Sequence, residues 1–172
     1  TGDRDLDGVQ DFNPVADLHV GVISTDLGVG LTSEVPGSCD RFSGDDAILR
    51  TSGTGCAPYT PSDSFMSGED PTAFANAVGC IAQLGTRGCG FEQQLEASLK
   101  AVTSSTSPIT FFGGLRGQAD LANAGFLRAD SLLSIILLSD EEDCSSTDPA
   151  FFRDTNVPGL DELNLRCTTN QD

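Results

Sequence analysis

Residues 131–144 read SLLSIILLSDEEDC, and how this stretch is placed decides the fold. From Leu132 to Leu138 the run is apolar, broken only by Ser134, and after Ser139 come four acids, Asp140 to Asp143. A strand apolar on successive residues is buried on both faces, the pattern of a parallel sheet covered by helices. Ligands of open α/β sheets bind beyond the C-terminal ends of such strands. Asp140, Glu141 and Asp143 are therefore the candidate ligand-binding residues.

Working outward, a second apolar run, DLHVGVISTD at 17–26, reads as another buried strand ending in a polar turn. Residues 27–70 are rich in Gly, Ser, Asp and Pro and predict a long, irregular excursion. In DPTAFANAVGCIAQLG, 70–85, Asp70 suits a cap, Pro71 the first helical position, and Gly85 a stop. A second helix is predicted over FEQQLEASLKAVT, 91–103, with Phe91, Leu95, Leu99 and Val102 on one face. SPITFFGG reads as a short strand or extended connection, and DLANAGFLRADS and 160–165 as short helices. The fold class expected is α/β, a Rossmann-like sandwich with a mainly parallel sheet flanked by helices. A short acidic segment, 1–16, precedes a single domain at 17–172.

The chain has 172 residues, 38% hydrophobic and 20% charged, enough to build a core. Its net charge of −17, with only nine Lys and Arg, excludes nucleic acid and anionic membrane surfaces as natural partners. No apolar run is long enough to cross a bilayer as a helix. The single histidine, His19, lies inside the first apolar run, so a nucleophile has no base beside it, and no phosphate-binding or nucleophile-elbow motif occurs. His19 reads as a packed or edge residue, and the chain as no enzyme.

The six cysteines fall in neighbouring pairs, Cys39 and Cys56, Cys80 and Cys89, Cys144 and Cys167. No C-x-x-C occurs, so zinc-ribbon and thioredoxin chemistry are poorly supported. Neighbour pairing would close short loops and imply an oxidising, extracytoplasmic compartment, secreted or cell-surface; buried free thiols are the alternative.

At the N-terminus, TGDRDLDGVQDF sets Asp3, Asp5, Asp7 and Asp11 in a D-x-D-x-D-G-x-x-D pattern. Alternate carboxylates of a tight loop turn toward one point, and Ca2+ takes six to eight oxygens. Asp3, Asp5, Asp7, the Val9 carbonyl and Asp11 are the candidate ligands; a solvated acidic terminus is the competing reading. The pattern resembles the calcium loops of thrombospondin type 3 and dockerin-type repeats, and it lacks the distal Glu of an EF-hand.

Four stretches in order, DLHVGVISTD, GCGFEQQLEASLKAV, NAGFLRADSLLSIILLSDEEDCS and DELNLRC, resemble von Willebrand factor A-like domains of bacterial extracytoplasmic proteins and lipoproteins. The resemblance implies a Rossmann-type sandwich that binds a protein partner through a divalent cation, Mg2+ or another, with Asp140 at the strand-end metal position. The family's D-x-S-x-S strand does not occur in this chain. In the family that strand lies between those corresponding to 17–26 and 132–139, so two edges are expected to stand unpaired. A strand from upstream of Thr1, or from another subunit, is expected to fill the gap. The functions this supports are a calcium-stabilised adhesion module or a structural subunit of an extracellular assembly joined by strand complementation, with self-association possible.

Overall fold

In the computed structural model the described residues are 2–13, 15, 17–29, 43–62, 65–66, 70–146, 149–152 and 167. Two helices form, α1 at Pro71–Ile81 and α2 at Gln94–Val102, with single 3-10 turns at Phe112–Gly114 and Pro149–Phe152. The only β ladder among the described residues joins β1, Asp17–Leu18, to β2, Phe65–Met66, antiparallel and two residues long.

Helix α1 begins as its sequence dictates. The Asp70 carboxylate accepts the Thr72 N–H at 2.9 Å, and Pro71 occupies a first-turn position where no N–H is needed. Past its end, Gly85 takes φ +80°, a conformation that favours glycine. Helix α2 turns a different face inward from the one predicted. Gln94, Ala97, Lys100 and Ala101 are buried, while Leu95 and Leu99 are exposed. The reversal follows from polar partners waiting inside. Lys100, 1% exposed, pairs through Nζ with Asp46 and lies 5.7 Å from the centre of the Phe111 ring. Gln118 donates to the other oxygen of Asp46.

Two apolar clusters hold the described parts together. Phe152 is fully buried and meets Phe91, Phe112 and Phe151 edge-on, beside Val29, Cys89 and Cys144. Leu27, Ala47, Ala97 and Ala101 form the second, against Ile23 and Val102. Asn123 links this cluster to its surroundings. Its Oδ1 accepts the Leu49 N–H at 2.9 Å, and its Nδ2 donates to the carbonyls of Ala47 and Ala101 at 3.0 and 3.1 Å.

The α/β sandwich expectation is overturned: no parallel sheet exists among the described residues. Of the run 17–26 only Asp17 and Leu18 enter a ladder, and 131–139 contains no strand. Residues 120–131 are a succession of turns instead of a helix, and 107–114 hold the 3-10 turn instead of a strand. The physical reason is pairing. An apolar extended segment becomes a sheet strand only where a neighbour accepts its backbone groups. The expected helix at 160–165 lies outside the described residues.

Disulfide connectivity follows neighbour pairing at Cys144 and Cys167 and departs from it at Cys56 and Cys80. Cys56 bonds Cys80, with Cα atoms 5.8 Å apart, and Cys144 bonds Cys167 at 5.1 Å. Cys89 is disulfide-bonded as well, so Cys80 and Cys89 do not bridge each other. Cys39 lies outside the described residues. The 56–80 bridge ties the irregular excursion to the last turn of α1, which spacing alone does not reveal.

Candidate functional site

The N-terminal acidic stretch is a closed loop. Gly2 O accepts the N–H groups of Asp11 and Phe12 at 2.8 and 3.0 Å, bringing the two ends together. Leu6 and Gly8 take φ +60° and +89°, reversing the chain between them. Inside the loop, carboxylates bind backbone: Asp3 Oδ2 accepts Gly8 N–H, Asp11 Oδ2 accepts Arg4 N–H, and Asp7 Oδ1 accepts Val9 N–H. One oxygen each from Asp3, Asp5 and Asp11 then lies within 4.8 Å of the others, and this is the only such group among the described residues.

Asp3 Oδ1 is buried and has no hydrogen-bond partner. A bare carboxylate oxygen shielded from water is costly unless a cation or donor meets it. Like charges at about 4 Å repel by about 1 kcal/mol even in water, and by more where water is scarce. The donor set is all oxygen and exposed on one side, which fits Ca2+ better than a metal seeking nitrogen or sulfur. Of the predicted ligands, Asp3, Asp5 and Asp11 are brought together. Asp7 is not in the group, and its Oδ1 is engaged by the Val9 amide.

The second predicted site, beyond 132–138, serves a different purpose. Helix α2 lacks a local side-chain cap at Gln93. Asp143 Oδ1 accepts Leu95 N–H at 3.1 Å and Ser145 Oγ accepts Glu96 N–H at 2.8 Å, so a distant segment caps it. Gln94 Nε2 donates to Ser139 Oγ and to the Glu141 carbonyl, and Cys144 N–H to the Glu92 carbonyl. Asp140, Glu141 and Asp143 do not converge as metal ligands. Asp140 and Glu141 crowd instead on Glu92, whose carboxyl is raised above its usual range by burial first, then by Asp26, Glu141 and Asp140. Glu96 is also raised, chiefly by burial, with Lys100 opposing.

Asp26 and Glu92 were not singled out from the sequence, although Asp26 ends the first apolar run as Asp140 ends the second. Asp26 is buried, and its Oδ1 accepts the Gly28 N–H at 2.9 Å. His19 packs as expected, with Nδ1 2.8 Å from the Phe126 carbonyl. Comparison of the chain with protein-family models, curated proteins and solved structures gives no match. Among the described residues no helix is long and apolar enough to cross a membrane.

Proposed function

We propose that the chain is a calcium-stabilised, disulfide-stapled binding module of an extracytoplasmic protein, which engages a protein partner and performs no catalysis. The observation that carries the reading is the trio Asp3, Asp5 and Asp11, together with the buried, unpartnered Asp3 Oδ1. These three residues would hold Ca2+, which would offset their mutual repulsion and rigidify the loop. The bridges Cys56–Cys80 and Cys144–Cys167 support an oxidising compartment. The charge of −17 favours cations and neutral or basic partners over nucleic acid.

Titrating the chelator-treated protein with CaCl2 tests the reading. Bound Ca2+ raises the melting temperature, and the expected gain at a hundredfold excess over Kd is about 2.7 kcal/mol. Asp5→Ala removes that response and, by relieving the repulsion within the trio, does not lower the Ca2+-free melting temperature. A melting temperature indifferent to both CaCl2 and chelator would overturn it.

A further inference from the structure

Residues 132–138 form no helix, turn or ladder and make no hydrogen bond, backbone or side chain, with any described residue. Their apolar side chains are exposed, Leu132 at 96%, Ile136 at 78% and Leu138 at 88%, with Leu133, Ile135 and Leu137 about half exposed. The run 19–24 has one open side of its own. Val20 and Val22 offer their carbonyls to Tyr59 Oη and Arg50 N–H. The backbone groups of Gly21 and Ile23, which point the opposite way in an extended chain, pair with no described residue.

The two runs are tied to each other at both ends. At the start, Arg128 is ion-paired with Asp17 and donates to its carbonyl. At the finish, Gln93 N–H reaches Thr25 O while the adjacent Gln94 side chain reaches Ser139. Each tie passes through a side chain or an intervening residue, and no backbone hydrogen bond joins the runs. Their corresponding ends therefore lie near each other, and the two runs are not paired with one another.

We infer that this is a strand-acceptor slot: an extended, apolar peptide segment of about seven residues, from outside residues 1–172, adds between 19–24 and 132–138. A flat apolar surface would not satisfy the backbone groups of Gly21, Ile23 and 132–138; a strand satisfies those and covers the leucines together. At about 3.3 Å per residue, such a strand spans ~23 Å. The end of the occupant lying at Asp26, Glu92, Asp140 and Glu141 is neutral or basic, because a further carboxylate there meets four already crowded together. The same acids, with Asp130 at the other end and a net charge of −17, oppose pairing between two copies of the chain. This deepens the proposed function by naming the kind of partner, but it does not depend on Ca2+.

The test uses a fluorescein-labelled peptide, Val-Thr-Val-Ile-Val-Thr-Val-Lys-Lys, followed by anisotropy against the full chain in Ca2+ and in chelator. Saturable binding is expected in both, weakened at least tenfold by N-methylation of alternate residues, which keeps the side chains and removes the donors. Replacing the two lysines by glutamates weakens it too. Ile136→Pro in the chain abolishes it, and because Ile136 is exposed the variant retains the wild-type melting temperature. No saturable binding, or equal binding of the N-methylated peptide, overturns the slot. So does a dimer by sedimentation that Ile136→Pro dissolves, since the occupant is then a second copy. Loss of the Ca2+ response with peptide binding intact would remove the calcium reading alone.

Discussion

Helix α2 and the run 132–138 place their residues in opposite ways. On α2, Lys100 and Gln94 are buried while Leu95 and Leu99 face water; on 132–138 nearly every residue is aliphatic and all are exposed. What separates them is partnership. Lys100 finds Asp46 and Phe111, and Gln94 finds Ser139 and the Glu141 carbonyl, so burial costs them little. Among the described residues the aliphatic run has no neighbour that accepts its backbone, and hydrophobicity alone does not hold it in the interior. Burial here follows the supply of hydrogen-bond partners.

The comparison breaks most sharply at Asp46. Asp46→Ala leaves the Lys100 ammonium buried without its carboxylate, and urea denaturation is expected to show a loss of about 3–5 kcal/mol. A loss below ~1 kcal/mol would mean that Lys100 reaches solvent with ease. Asn123→Ala follows, stranding the Leu49 amide and the carbonyls of Ala47 and Ala101, with about 2–3 kcal/mol lost in the same assay.

Glu92 sharpens the polar side through pH. Its carboxyl is raised in the folded protein, so folding favours its protonated form. The stabilising contribution is complete below the ordinary glutamate range and is lost as pH rises through the raised value. Glu92→Gln is thus expected to raise the melting temperature at pH 7 and to leave it unchanged near pH 3.5. An equal gain at both would assign the effect to something other than charge. The smallest effect belongs to the aliphatic run: Ile136→Lys should change stability by no more than about 0.5 kcal/mol, because the side chain is already in water. A larger loss would show that Ile136 is packed in solution.

Legibility from sequence divides along the same line. Asp70 and Pro71 act within their own segment, and α1 starts as they direct, while it ends at Ile81, short of Gly85. The spacing of Asp3, Asp5 and Asp11 is likewise local, and the loop gathers them, while Asp7 stands outside the group. The inward face of α2 was not legible, since Lys100 is buried by an aspartate 54 positions away. Nor was the fate of 132–138, because an apolar string states what could be covered and not what covers it. Cysteine spacing has the same limit: it contains Cys56 and Cys80 without saying that one finds the other.

The cap that Asp143 places on α2 has a practical consequence. The Leu95 amide proton is held by a carboxylate 48 residues further along the chain, so its exchange with solvent deuterium clocks how often 139–145 lifts away. A single resolved amide signal therefore reports, from the far side of the joint, any event that tightens or loosens the neighbouring aliphatic run.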